Sequence, residues 1–127
     1  EVLPVLRDMH GDVADKAVRL ADHLHACAAL IDEQVHRAAD HVLREGDDVI
    51  LDRIDARRLP QVVLTGLLRR LLTQAGVPRD SQRAGALRRI ARAAQDVRGG
   101  RRTFHLRNCI VTVTRKAVTL TRAADNR

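Results

Sequence analysis

The feature that most constrains this chain is a stripe of small and branched apolar side chains between residues 13 and 42. Its members are Val13, Ala17, Leu20, Leu24, Ala28, Ile31, Val35, Ala38 and Val42. They recur in steps of three or four residues, which is the spacing of one face of an α-helix. Because Asp12 is a good N-cap and Gly46 a typical stop, the pattern predicts one helix over residues 12–45, about 50 Å long.

Weaker patterns lie on either side of this helix. A short helix is predicted over Val2–Met9, ending near Gly11. Residues 47–55 place apolar side chains among acids and fit either a short strand or an extended linker. Helical spacing then returns over residues 60–75 and 82–98, where leucine, isoleucine and alanine form one face of each segment.

The periodicity changes to two in the last part of the chain. β-Branched runs occupy Thr103–Leu106, Cys109–Thr114 and Ala117–Thr121. In the middle run, Val111 and Val113 share one face of the predicted strand. The sequence therefore predicts a mainly helical α+β fold, in which a long helix and a helical bundle precede a small three-stranded antiparallel β-meander.

Composition excludes several classes of protein. The 127 residues include one Phe, no Tyr and no Trp, which argues against RNA-binding sheets that stack bases on aromatic rings. No apolar run approaches about 18 residues, so no membrane span is expected. Because the first residues carry no basic cluster and Cys27 and Cys109 are expected to be free thiols, the sequence favours a cytoplasmic protein.

Charge is divided unequally between the two parts of the chain. Residues 1–50 carry five basic and eleven acidic side chains, a balance of −6, whereas residues 51–127 carry eighteen basic and five acidic ones, a balance of +13. A surface with so many cations repels itself and attracts a polyanion. We therefore expect RNA or DNA as a partner, the alternative being a basic face that is merely solvated.

Eight arginines are the candidates for phosphate contacts. Arg69 and Arg70 lie off the apolar arc of the 60–75 helix, and three more lie opposite the apolar face of the 82–98 helix. The predicted RNA-binding residues are Arg69, Arg70, Arg88, Arg89, Arg92, Arg98, Arg101 and Arg102. Guanidinium groups bind phosphates with two hydrogen bonds and stack on bases, so clusters of them suit RNA.

No arrangement of residues predicts catalysis or a metal site. His23 and Cys27 share a helical face, but His25 points elsewhere, and no second ligand pair has zinc-like spacing. The row formed by Asp32, His36 and Asp40 is typical of a solvated helix surface. Motifs for nucleophilic catalysis or nucleotide phosphates are absent. We therefore expect neither catalytic nor metal-ligating residues in this chain.

Several short motifs, in their order along the chain, resemble one family. The sequence begins Glu1-Val2-Leu3-Pro4-Val5-Leu6 before the long predicted helix. It continues with Leu59-Pro60, with Leu67-Leu68-Arg69-Arg70-Leu71-Leu72, with Gly76-Val77-Pro78 and with Leu87-Arg88-Arg89-Ile90. The strand-like segments follow. This order is similar to the region after the nucleotide-binding domain of tRNA(Ile)-lysidine synthetases.

The resemblance implies a division into a linker helix region at residues 1–46 and a tRNA substrate-binding domain at residues 47–127. Members of this family are ATP-dependent ligases that act in tRNA processing and convert the wobble cytidine of an isoleucine tRNA to lysidine. Their PP-loop, with ATP and Mg²⁺, belongs to a preceding catalytic domain and does not occur here. The expected partners are tRNA and that domain, and this segment alone is expected to be inactive and to bind no cofactor.

Two other functions remain open at this point. The alanine-rich stripe of residues 12–45 fits a helical protein–protein interaction module, including a homodimer through that helix. Alternatively, the helices at 60–75 and 82–98 fit a helix-turn-helix regulator that reads DNA with Arg88, Arg89 and Arg92. The intervening turn, Gly76–Ser81, is longer than is usual for that motif.

Overall fold

A single long helix opens the fold. The computed structural model describes residues 2–96, 98 and 100–122, without the side chains of residues 2–12 and 84. Helix α1 (Val2–Ala39) passes through Gly11 without a break, so the predicted short first helix is wrong. One glycine costs a helix only about 1 kcal/mol, which the long helix on either side tolerates.

Helix α1 ends six residues before the predicted position, because the chain there enters a β-hairpin. Strand β1 (Leu43–Glu45) and strand β2 (Asp48–Asp52) pair antiparallel, with Glu45 opposite Asp48. Gly46 lies in the turn between them with φ of 60°, a conformation that glycine adopts without strain. The glycine predicted to stop a helix therefore forms a hairpin turn, and residues 48–52 are a strand.

The sheet has five antiparallel strands, so the predicted three-stranded meander is wrong in number although the α+β class is confirmed. The remaining strands are β3 (Arg102–Leu106), β4 (Cys109–Val113) and β5 (Ala117–Arg122). The order is β1-β2-β5-β4-β3. Strand β2 joins the predicted meander by pairing with β5, which places Val49 opposite Leu120. The segment that the sequence left open between a strand and an extended linker is therefore a strand of this sheet.

Three further helices cover one face of the sheet or pack beside it. They are α2 (Arg53–Arg58), α3 (Gln61–Gln74) and α4 (Ala84–Gln95), with a 3₁₀ turn at Arg79–Ser81. Helices α3 and α4 confirm the two predicted helices with slightly shorter ends. Val97 and Gly99, predicted as the last apolar position and the stop of the second, lie outside the described residues.

The core forms between the helices and one face of the sheet. All six apolar residues predicted on α3 are buried: Val63, Leu64, Leu67, Leu68, Leu71 and Leu72. In β4, the predicted division into two faces is confirmed: Val111 and Val113 are buried against this core, while Ile110 and Thr112 are half-buried on the other face. Helices α2 and α4 contact the inner face of the sheet, and α3 packs between α1 and α4.

Among residues 13–39 of α1, the buried side chains lie in its last part. Val35 and Ala38 are buried, whereas residues 13–30 are exposed apart from half-buried Cys27. Five large apolar side chains of this exposed stretch are between 58% and 62% exposed: Val13, Val18, Leu20, Leu24 and Leu30. Within the described residues, no helix is long and apolar enough to cross a membrane.

Helix α1 approaches α3 closely because α3 carries a glycine at the crossing. A Cβ at Gly66 would lie 2.9 Å from Cγ2 of Val35, which is too close for an ordinary contact. Replacing Gly66 by alanine is therefore expected to lower the free energy of unfolding by about 1 kcal/mol, the overlap outweighing the gain in helix propensity. Urea unfolding followed by circular dichroism measures the change.

The control for this prediction is the pair of substitutions Gly66→Ala and Val35→Ala. Val35→Ala removes Cγ2, the atom that the new Cβ at position 66 would meet. The double variant should therefore lose less free energy of unfolding than the sum of the two single variants, by about 1 kcal/mol. Additive losses would show that contact between these two residues does not set the distance between the helices.

Candidate nucleic-acid interface

A groove of about 980 Å³ lies over the exposed side of α3, between α1 and α4. From α1 it is lined by Ile31, Asp32 and Val35, and from α4 by Arg88 and Arg92. From α3 it is lined by Gln61, Val62, Thr65, Gly66, Arg69 and Arg70. We refer to this feature as the arginine groove. Because Gly66 has no side chain, α1 can pack against α3 at the crossing.

The structure brings together four of the eight arginines predicted from sequence. Arg88 and Arg92 are four residues apart on α4 and so share one face of the helix. Each is two residues from the buried Ile90, which places that face on the opposite side. Arg69 and Arg70 follow the buried leucines of α3 and lie on its outer side. The periodicity predicts their exposure, but the meeting of the two helices follows from tertiary packing.

The groove arginines form no ion pair with a carboxylate among the described residues. Among the residues that the structure describes, ion pairs within 4.0 Å join Arg37 to Glu33 and Arg102 to Asp96, and none involves a groove arginine. Nη1 of Arg70 lies 3.4 Å from Nδ1 of His36 on α1. The groove therefore presents guanidinium groups free to bind an anion.

The other predicted arginines lie outside this groove. Arg89 is exposed, and its Nε lies 3.4 Å from the carbonyl oxygen of Gly85. Arg102 donates to a carboxylate oxygen of Asp96 at 3.0 Å, and the backbone N–H of Arg98 donates to the other at 3.0 Å. These contacts lower the pKa of Asp96, and the hydrogen bond from the backbone of Arg98 has the largest effect. Arg101 is exposed on the same segment, whose Gly99 lies outside the described residues.

Sequence reasoning missed one arginine that positions the groove. Arg53, the first residue of α2, is 2% exposed. Its guanidinium donates to the carbonyl oxygens of Ala93, at 3.0 Å, and of Ala94 and Asp96, all at the end of α4, and to that of Thr114. Burial, the largest effect, lowers the pKa of Arg53.

This contact satisfies carbonyl groups that the end of a helix leaves without partners. It also ties α4 to α2 and to the turn between β4 and β5, and so fixes the helix that carries Arg88 and Arg92. Arg53 follows the alternation of buried Val49 and Leu51, but a charged side chain at such a position is normally expected to be exposed, so the sequence does not single it out.

The residues weighed for metal binding do not form a ligand cluster in the described part of the chain. Sγ of Cys27 lies 3.6 Å from Nε2 of His23, and groups of three or more potential ligands are not found there. Both cysteines are free. Burial raises the pKa of the Cys109 thiol to about 11, which keeps this side chain neutral within the core.

Comparison with protein-family models, with curated proteins and with solved structures gives no match to this chain. The assignment of a function therefore depends on the chemistry of the groove and on the sequence motifs.

Proposed function

We propose that this protein is an RNA-binding module whose ligand is a tRNA, held through the arginine groove. By its motifs it would serve as the linker helix and substrate-binding domain of a tRNA(Ile)-lysidine synthetase. In that enzyme a separate PP-loop domain would use ATP and Mg²⁺ to form lysidine. The proposal assigns no catalytic step to the residues of this chain.

The observation that supports RNA binding is the charge of the groove. Four arginines line it without a carboxylate partner among the described residues, and they belong to the half of the chain with a balance of +13. Guanidinium groups bind phosphate oxygens with two parallel hydrogen bonds. Phosphate contacts dominate the affinity of proteins for nucleic acids, so such a groove suits an RNA backbone.

Filter binding with an isoleucine tRNA and with a DNA duplex of similar length tests this proposal. We expect tighter binding of the tRNA than of the duplex, and affinity that falls steeply with salt. Absence of binding to both would overturn the proposal. Tighter binding of the duplex would favour the helix-turn-helix regulator, although residues 75–83 separate α3 from α4 by more than the usual turn.

The exposed part of α1 favours a second function, protein–protein interaction. Its large apolar side chains between Val13 and Leu30 are exposed in the described structure, and a helix with such a stripe is usually covered by a partner. A second copy of the chain is the simplest partner to test. The arginine groove begins at Ile31, directly after this stretch, so the two functions would use adjacent parts of α1.

We expect the isolated chain to associate through this stripe as protein concentration rises, or to exchange its amide hydrogens rapidly near the middle of α1. Sedimentation equilibrium and hydrogen exchange measure the two results. Replacing Leu20 and Leu24 by glutamine should abolish association, while Asp22→Asn, on the opposite face, should not. A strictly monomeric wild type with full protection of α1 would contradict the prediction.

A further inference from the structure

The arginine groove contains one carboxylate, that of Asp32. This residue is exposed on α1, and no guanidinium lies within 4.0 Å of it among the described residues. In a groove that bound only phosphates, a carboxylate would repel the ligand and lower the affinity. Its position therefore indicates a ligand that also offers hydrogen-bond donors.

The groove also has an apolar part. The side chain of Val62 is 55% exposed there, and Ile31 and Gly66 line the same space. A duplex presents its phosphates on a convex surface and buries the faces of its bases. An unpaired nucleotide instead offers a flat apolar base, a phosphate and a free base edge, which match the apolar residues, the arginines and the carboxylate.

An ionised carboxylate only accepts hydrogen bonds. On the Watson–Crick edge of guanine, the N1–H and the N2 amino group are adjacent donors, one for each carboxylate oxygen. Adenine, cytosine and uracil place at least one acceptor beside their donor. We propose that Asp32 binds the Watson–Crick edge of an unpaired guanine held in the arginine groove, an inference that rests on the RNA-binding function proposed above.

Fluorescence anisotropy with labelled pentanucleotides at low salt tests this proposal. We expect the wild type to bind UUGUU about tenfold more tightly than UUUUU, as one bidentate base contact typically provides. Inosine in place of guanosine removes only the N2 amino group and should lose most of this preference. In Asp32→Asn the preference should fall below about twofold, while UUUUU binds as tightly as before or more so because a repulsive charge is gone.

Glu33→Gln is the matched control. It removes the same charge from the next residue of α1, which lies outside the groove and pairs with Arg37 at 2.6 Å. This variant should keep the preference for guanosine. Equal wild-type affinity for the pentanucleotides, or a preference that survives in Asp32→Asn, would overturn the inference and leave the proposed function intact if tRNA still binds. If neither tRNA nor any pentanucleotide binds, both proposals fail.

Discussion

Replacing Arg53 by methionine is expected to lower the free energy of unfolding by about 3–5 kcal/mol. Methionine fills a similar volume but donates no hydrogen bond. The buried carbonyl oxygens of Ala93 and Ala94, and the part-buried ones of Asp96 and Thr114, would then lose the donor they have now. Urea unfolding measures the loss, and the midpoint of thermal unfolding should fall by more than about 10 °C.

Two variants separate this effect from a change in charge. Arg57→Met removes an exposed arginine of the same helix and should change stability by less than about 0.5 kcal/mol. Arg53→Lys keeps the charge but not the planar set of donors, so its loss should be intermediate. An Arg53→Met variant within about 1 kcal/mol of the wild type would show that this contact does not hold α4 in place.

The parts of the fold that depend on local periodicity could be predicted from the sequence. The buried arc of α3 and the alternation in β4 follow from side-chain spacing within one element. The burial of Leu67, and the position of Val111 and Val113 on one face, are therefore predicted correctly. The exposure of Arg88 and Arg92 follows from the same spacing, because both lie opposite the apolar face of an amphipathic helix.

The parts that depend on contacts between distant segments could not be predicted. Strand β1 is short and strand β2 is flanked by acids, and only the pairing of β2 with β5 makes this hairpin part of the sheet. Gly46 is compatible with both a helix stop and a hairpin turn. The groove itself requires α1, α3 and α4 to pack side by side, which depends on Gly66 and Arg53 rather than on any motif.

Replacing Arg69, Arg88 and Arg92 by glutamine is expected to weaken tRNA binding by about 10²–10³-fold near 0.1 M salt. Glutamine preserves helix propensity, so α3 and α4 should remain folded. Each phosphate contact that is lost removes about 0.7–0.9 of a released counterion, so the plot of log K against log salt should flatten by about 2–3 units. Circular dichroism checks that the variant is folded.

The salt dependence of tRNA binding by this triple variant tests the central claim most directly. The control replaces Arg58, Arg107 and Arg115, three exposed arginines outside the groove, by glutamine and so removes the same charge. Filter binding over a series of salt concentrations should give a slope flatter by about 2–3 units for the groove variant and little change for the control. Equal slopes for the two variants would contradict the claim that the groove binds RNA.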